Sequence, residues 1–366
     1  MSSDTFQKLA DHGQSIWLDF IRRSFLEEGG LEEFVQQGLR GVTSNPSIFD
    51  QAISEGEEYD QELRKLAEAG KTTGEIYEAL AAADIQDACD ILRPVYDESQ
   101  GADGYVSLEA DPHLAHDTGG TIAEVQRLWE MVDRSNLMIK VPATPEGIPA
   151  VEALTGQGYN INITLMFSLE QYRQVSEAFI SGLEHFVDGG GDPSRVASVA
   201  SFFVSRIDVK IDRMLAARDD PRARELQGEI GIASAKLAYQ LFVEKFSTQR
   251  WKDLADQGGR VQRVLYGSTS TKNPEYPDTL YPDNLIGRDT INTLPPDTLE
   301  AFLDHGTVQD TLTADIPQAE AQLRELADLG IDLNHITKEL LDEGVVKFAN
   351  SFDELMLSIA HKKSSP

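Results

Sequence analysis

The strongest constraint on the fold is an alternation of two kinds of segment along the chain. Eight short apolar runs, each bounded by turn residues, alternate with longer segments whose apolar side chains recur at helical spacing. Eight strand–helix units in succession predict parallel strands closed into a (β/α)8 TIM barrel, an α/β fold. The predicted strands cover residues 15–20, 41–45, 104–110, 137–143, 159–166, 197–204, 263–268 and 289–294.

The alternative α/β architecture is a doubly wound open sheet. That fold places a glycine-rich phosphate-binding turn after its first strand, and the segment SIWLDFIRRS contains no glycine. A helix is predicted at residues 168–186, with Ser168 as its N-cap. We expect one barrel domain over residues 1–366, with extra helices at residues 54–96, 208–256 and 315–361.

Composition limits the compartment and the partners. The chain has 62 acidic and 32 basic residues, a formal net charge of −30, which disfavours nucleic acid as a partner. Cys89 is the only cysteine, so no intramolecular disulfide can form. No secretory leader or membrane-spanning apolar run is recognised, and we expect a cytoplasmic protein without a membrane partner. An anionic substrate would require a local basic cluster.

Polar residues interrupt the predicted strands near their carboxyl ends. Barrel strands are buried on both sides, so polar side chains within them require a reason. Because these strand ends meet at one mouth of a barrel, we expect the polar side chains to form an active site there. The residues are Asp19, Asn45, Glu109, Lys140, Asn162, Thr164, Ser201 and Ser268.

Lys140 is the candidate nucleophile. Its neighbours in LMIKVPA are apolar, and burial among them favours the neutral amine, which attacks a ketone to form an imine. A nearby cation such as Arg206 would favour the same form. The alternative is a lysine at a strand edge that extends into solvent.

Asp19 and Glu109 form a candidate acid–base pair. An imine mechanism needs one group to accept a hydroxyl proton during carbon–carbon cleavage and one to transfer protons as the imine forms and hydrolyses. Each residue also has a structural alternative. Asp19 would suit a helix N-cap, and Glu109 a structural ion pair.

Other motifs give less support to a function. His113 and His116 have a spacing that can hold a metal, but no histidine in a predicted strand accompanies them. We interpret them as surface residues and expect no metal. The chain contains neither GxxxxGKS nor GxSxG, so nucleotide hydrolysis and serine esterase chemistry are not supported.

The strand segments resemble the transaldolase family of the class I aldolase superfamily, in order and over nearly the whole barrel. The combination of TSNPS, IKVPAT and NITLMFS is specific, and the chain is similar to the longer members found in actinobacteria and cyanobacteria. The other matching segments are WLDF, VSLEADP, ASFFVSRID and YGSTSTKNP.

This resemblance implies a mechanism without metal or organic cofactor. Lys140 would form the Schiff base, Asp19 would take the C4 hydroxyl proton, and Glu109 would act through a water held by Thr164. The reaction implied is transfer of dihydroxyacetone from sedoheptulose 7-phosphate to glyceraldehyde 3-phosphate, in the non-oxidative pentose phosphate pathway. The implied substrate-binding residues are Asn45, Asn162, Ser201, Phe203, Arg206, Ser268 and Lys272.

The chain departs from the family pattern at the phosphate site. Many members carry an arginine after strand seven in an ASxR-like segment, but this chain has GSTSTK, in which Lys272 stands two positions further on. Lysine is a point charge and cannot form the two-pronged contact of arginine. Arg206 matches a family arginine that contacts the substrate phosphate, and Ser268 would assist it.

Two alternative functions stay open. Fructose 6-phosphate aldolases of the same superfamily are shorter, with a tyrosine in place of Phe203 and a glutamine in place of Glu109. A non-catalytic sugar-phosphate-binding barrel is the other alternative, and retention of Asp19, Glu109 and Lys140 argues against it. A monomer and a homodimer are both compatible with the sequence.

Overall fold

The computed structural model describes residues 2–364, and a closed barrel of eight parallel strands forms its centre. Each strand pairs with its neighbour along the chain, and the last strand closes the barrel against the first. The predicted (β/α)8 barrel is therefore confirmed. The strands are β1 Gln14–Leu18, β2 Gly41–Thr43, β3 Tyr105–Glu109, β4 Leu137–Pro142, β5 Ile161–Met166, β6 Ser198–Phe203, β7 Arg263–Gly267 and β8 Thr290–Leu294.

Helices surround the barrel and fill the predicted insertions. None of the helices in residues 2–364 is both long and apolar enough to cross a membrane. They are α1 Ser2–Asp11, α2 Arg23–Glu27, α3 Gly30–Gln37, α4 Pro46–Glu55, α5 Asp60–Glu68, α6 Thr73–Glu98, α7 Thr118–Val132, α8 Gly147–Thr155, α9 Leu169–Asp188, α10 Ser205–Ala216, α11 Pro221–Glu225, α12 Ile230–Lys245, α13 Gln249–Ala255, α14 Leu280–Asn284, α15 Pro296–His305, α16 Ile316–Asp328 and α17 Leu333–Ser364.

The predicted strand bounds differ from the observed ones by at most two residues. Six of the observed strands end one or two residues earlier than predicted, so that Asp19, Asn45 and Ser268 follow β1, β2 and β7 rather than lie within them. The predicted helical character of residues 54–96, 208–256 and 315–361 is confirmed, with short breaks between successive helices.

A layer of large side chains fills the barrel below the mouth. Met138 of β4 belongs to this layer and is 1% exposed. Because side chains alternate along a strand, Lys140 points to the same interior side as Met138, closer to the mouth. The layer thus forms the floor on which the polar site is built. Its other members are Trp17, Tyr105, Ala197, Val199, Leu265 and Ile291.

Helix α9 begins at a capping box that confirms the predicted N-cap. The Ser168 hydroxyl accepts a hydrogen bond from the Gln171 backbone N–H at 3.1 Å, and Gln171 Oε1 accepts one from the Ser168 N–H at 3.1 Å. These bonds satisfy backbone donors that have no partner within the helix.

Replacing Ser168 by alanine should lower the free energy of unfolding by about 1 kcal/mol, because the N-cap acceptor is lost. Urea unfolding followed by circular dichroism measures this change. Ser168→Asp serves as the control, since aspartate also caps helices and should retain most of the stability. Equal stability of Ser168→Ala and the wild type would contradict a stabilising role for this cap.

Candidate active site

A cavity of about 320 Å³ lies at the carboxyl ends of the strands. Residues at or after the ends of several strands meet there, as predicted from the convergence of barrel strands. Eight of the predicted site residues line the cavity, which are Asp19, Asn45, Lys140, Thr164, Ser201, Phe203, Arg206 and Ser268. Three others, Glu109, Asn162 and Lys272, are not part of its lining.

Strand register places the central side chains in one row across three strands. Glu109 of β3 is paired with Lys140 of β4, and Lys140 is paired with Asn162 of β5. The Lys140 side chain is buried, and its Nζ donates to the Ser44 carbonyl oxygen at 2.9 Å. Nζ also lies 3.3 Å from Glu109 Oε2. The alternative of a strand-edge lysine extended into solvent is therefore wrong.

Glu109 is a buried carboxyl beside the candidate nucleophile. Burial raises the pKa of Glu109, while the neighbouring Lys140 opposes that rise. Glu109 Oε2 lies 3.3 Å from Nζ without the geometry of a hydrogen bond, and Thr164 Oγ1 is likewise buried without a hydrogen-bond partner in residues 2–364. Buried polar atoms usually have a partner, so both oxygens are suited to bonding a water molecule or a substrate hydroxyl. The Glu109 carboxyl can therefore accept further hydrogen bonds beside its ion pair with Lys140.

Asp19 lies directly after β1 and faces the cavity. Its Oδ1 accepts a hydrogen bond from Thr43 Oγ1 at 2.7 Å, and its backbone N–H donates to the Leu294 carbonyl oxygen at 2.9 Å. The next helix, α2, begins at Arg23 with Arg22 at the N-cap position. The alternative interpretation of Asp19 as a helix N-cap is therefore wrong, and its carboxylate is directed by a neighbouring strand instead.

Asn162 organises hydroxyl groups beneath the cavity. Its amide donates to Ser107 Oγ at 3.0 Å and accepts from Ser201 Oγ at 2.6 Å. Asn45 has a different structural role. Its Oδ1 accepts a hydrogen bond from the Ile48 N–H at 3.0 Å, which makes Asn45 the N-cap of α4. Asn45 also lines the cavity, although its amide oxygen is engaged in this cap.

Arg206, in the first turn of α10, is a cation without an anionic partner. Its guanidinium carbon lies 4.9 Å from the ring centroid of Phe203 and 5.7 Å from that of Phe348. No hydrogen bond or ion pair joins it to any residue in the described range 2–364. Burial lowers the pKa of Arg206, and the charges of Glu109 and Asp19 oppose this effect. Such a cation in a polar cavity is suited to bind an anion.

Ser268 and Lys272 follow β7 on the same side of the mouth. Ser268 has φ of 49°, a left-handed conformation that is rare for a residue other than glycine. Its backbone N–H donates to Thr293 Oγ1 at 2.8 Å. Lys272 is exposed to solvent and donates to Ser270 Oγ. It follows β7 but does not line the cavity.

Several residues that line the cavity were not among the predicted ones. Thr43 and Thr293 are polar residues of strands, and the rule applied to the other strands could have identified them. Lys347 and Phe348 come from the C-terminal helix α17. No motif in the sequence connects that helix with the barrel mouth.

The two histidines of the loop after β3 contact separate acidic residues. His113 Nδ1 lies 2.8 Å from Asp111 Oδ1, and its Nε2 lies 3.2 Å from Asp353 Oδ1. His116 Nδ1 lies 3.0 Å from Glu146 Oε2. Both side chains are exposed, in agreement with the surface interpretation. Within residues 2–364, no three His, Cys, Asp or Glu side chains are grouped so that they could hold a metal ion.

Comparison with known proteins gives matches along nearly the full chain. A sequence model described as Transaldolase/Fructose-6-phosphate aldolase matches residues 16–359. A transaldolase of Parafrankia sp. (strain EAN1pec) is 49% identical over 99% of each chain. A transaldolase of Thermobifida fusca (strain YX) is 47% identical over 97% of each chain. Transaldolase 2 of Nostoc punctiforme is 44% identical over 99% of this chain and 98% of its own.

Proposed function

This chain belongs to the transaldolase/fructose-6-phosphate aldolase family and acts as a transaldolase, and we propose that it carries the donor ketose as a Schiff base on Lys140. The observation that supports this assignment best is the position of the Lys140 amine. It is buried in the lining of the cavity, bonded to one backbone carbonyl and next to the Glu109 carboxyl.

Imine formation begins when the Lys140 ammonium passes a proton to the neighbouring Glu109 carboxylate, and the resulting neutral amine attacks the ketose carbonyl carbon. The carbinolamine then loses water, so one proton must reach the departing hydroxyl and one must leave nitrogen. Glu109 is 3.3 Å from Nζ, and the raised pKa of its carboxyl suits it to take up and return a proton. Thr164 would hold the water through which Glu109 acts, consistent with the buried oxygens on both residues that have no hydrogen bond in residues 2–364.

Carbon–carbon cleavage requires a base at the C4 hydroxyl. Asp19 takes this proton while the electrons of the C3–C4 bond move into the iminium, which leaves an enamine on Lys140 and releases an aldose. The enamine carbon then attacks the carbonyl of the acceptor aldose, and Asp19 returns the proton to the new hydroxyl. Thr43 holds the Asp19 carboxylate for both steps.

The three-carbon unit is held by polar groups on one side and aromatic rings on the other. Asn45 and Ser201 contact its hydroxyl groups, and Asn162 positions Ser201. Phe203 packs on Phe167 at a centroid distance of 5.5 Å and offers no hydroxyl to the carbanion. We infer that this side protects the enamine from protonation, which favours transfer to an aldehyde over simple cleavage.

We propose sedoheptulose 7-phosphate and glyceraldehyde 3-phosphate as substrates, in the non-oxidative pentose phosphate pathway. Arg206 would bind the phosphate with help from Ser268 and Lys272. We propose that the reaction needs neither a metal nor an organic cofactor and takes place in the cytoplasm, in a monomer or a homodimer.

Release of dihydroxyacetone tests transfer against simple cleavage. With fructose 6-phosphate alone, the enzyme should release glyceraldehyde 3-phosphate in a burst no larger than its active-site concentration, because the enamine waits for an acceptor. Adding erythrose 4-phosphate should start continuous turnover. Continuous release of free dihydroxyacetone without acceptor, at a rate similar to that of transfer, would establish an aldolase instead.

Replacing Arg206 by alanine should raise KM for fructose 6-phosphate by about 1–3 kcal/mol in binding free energy, roughly 5- to 150-fold, with less effect on kcat. The reason is the loss of a charged hydrogen bond to the phosphate. Initial rates with fructose 6-phosphate and with unphosphorylated fructose measure the effect. Arg213→Ala, an exposed position on the same helix, is the matched control. An unchanged KM for fructose 6-phosphate would remove Arg206 from the phosphate site.

A further inference from the structure

We propose that Lys347 of the C-terminal helix α17 supplies a second cation for the substrate phosphate, next to Arg206. The helix would then complete the active site from outside the eight strand–helix units. This inference rests on the proposed function, because it assumes that the substrate carries a phosphate.

Hydrogen bonds hold α17 against residues 47–60, which include most of α4. The side chains of α17 that form these bonds are Ser351, Ser358 and Lys362. Ser47 Oγ donates to Ser351 Oγ at 2.9 Å, Ser358 Oγ donates to Asp50 Oδ1 at 2.8 Å, and Lys362 Nζ donates to Asp60 Oδ1 at 2.8 Å. Since α4 follows β2 and is capped by Asn45, α17 is fixed to an element that itself lines the cavity.

One face of α17 is directed toward Arg206. Gly344, Lys347 and Phe348 are three and four residues apart, which places them on the same side of the helix. A Cβ atom at Gly344 would lie 2.9 Å from Leu165 Cδ2 and 3.6 Å from Arg206 Nη1. The absence of a side chain at Gly344 therefore allows the close approach of α17, and Phe348 packs against the Arg206 guanidinium one turn later.

Lys347 lines the cavity together with Arg206 and Ser268. Neither cation forms an ion pair within the described residues 2–364. Arg206 and Lys347 are the two cations in the cavity lining besides Lys140, and Asp19 is the acidic residue there. In a chain of net charge −30, these cations create a local site that a phosphate dianion can occupy. Of Lys347 and Lys272, only Lys347 lines the cavity.

Inorganic phosphate and fructose 6-phosphate are the probes for this inference. In Lys347→Ala, the inhibition constant of phosphate and KM for fructose 6-phosphate should each rise roughly threefold to tenfold, as expected for one partly exposed charge. The preference for fructose 6-phosphate over unphosphorylated fructose, as a ratio of kcat/KM, should fall by a similar factor. Lys347→Arg should keep most of the preference. Lys338→Ala, an exposed lysine of α17 outside the cavity lining, is the matched control.

Two outcomes would overturn the role of Lys347. Unchanged constants in Lys347→Ala, with both constants raised in Arg206→Ala, would show that phosphate binding does not use α17. An equal loss of kcat/KM for fructose and fructose 6-phosphate would show that the substitution disturbs the active site as a whole and does not act through the substrate phosphate. Either result leaves the Schiff-base proposal intact, whereas failure of the wild-type enzyme to form a borohydride-stable adduct with fructose 6-phosphate would refute the proposed function itself.

Discussion

Replacement of Lys140 by alanine is expected to reduce transaldolase turnover by at least about 10⁴-fold, because the amine proposed to form the imine is then lost. The fold should persist. Lys140 is a cavity-lining side chain, and Glu109, whose pKa is already raised by burial, can take a proton when its cationic neighbour is removed. Lys140→Met keeps most of the side-chain volume and should lose activity to the same extent.

Trapping with borohydride tests this directly. Wild-type enzyme incubated with fructose 6-phosphate and borohydride should gain one dihydroxyacetone-derived adduct, located by peptide mass spectrometry at Lys140. Lys140→Ala and Lys140→Met should gain none, while circular dichroism and thermal unfolding show a folded barrel. A folded Lys140→Ala enzyme that turns over substrate, or an adduct on a different lysine in the wild type, would contradict the assignment.

The fold could be predicted from sequence because the interior of a barrel imposes a simple pattern. Strands buried on both sides appear as short apolar runs, and all eight were located within two residues of their observed bounds. The approximate position of the site followed from the same geometry, since strand ends converge whatever their sequence. Lys140 was identified by its polarity among apolar neighbours together with the two carboxylates and the other polar residues at the strand ends.

Contacts between distant segments could not be predicted in this way. The row from Glu109 through Lys140 to Asn162 depends on the register of three strands, which local periodicity does not determine. The capping alternative considered for Asp19 shows the same limit. Asp19 and Asn45 both suit an N-cap and follow a strand, yet only Asn45 is followed directly by a helix. Lys347 reaches the cavity through docking of α17, which depends on tertiary packing.

The two carboxyl groups differ in the surroundings that suit them to different steps. Glu109 is buried beside Lys140, so it can exchange protons where the imine forms. Asp19 is bonded to Thr43 and lines the cavity, where a substrate hydroxyl would lie. Substitution of one carboxyl group should therefore block the step in which that group acts, while the step that uses the other carboxyl group still proceeds. This difference gives the second large prediction.

Replacement of Asp19 by asparagine should lower kcat by roughly 10²- to 10⁴-fold, because the amide cannot accept the C4 hydroxyl proton during cleavage. The shape of the side chain and its hydrogen bond from Thr43 can be retained. Imine formation does not use Asp19, so the variant should still form the borohydride-stable adduct on Lys140. That adduct should contain the whole six-carbon ketose phosphate. In the wild type without acceptor, slow protonation of the enamine carbon gives a three-carbon iminium, which borohydride reduces to the three-carbon adduct.

The mass of the trapped adduct therefore separates the roles of the two residues. Thr43→Val, which removes the hydroxyl that bonds Asp19 but leaves its carboxylate, should reduce kcat by only about tenfold and still give the three-carbon adduct. If Asp19→Asn formed no adduct at all, Asp19 would act before cleavage, in binding or imine formation. If it gave the three-carbon adduct at the wild-type rate, another group would be the base. Only accumulation of the uncleaved ketose on Lys140 agrees with a carboxylate that acts on the C4 hydroxyl.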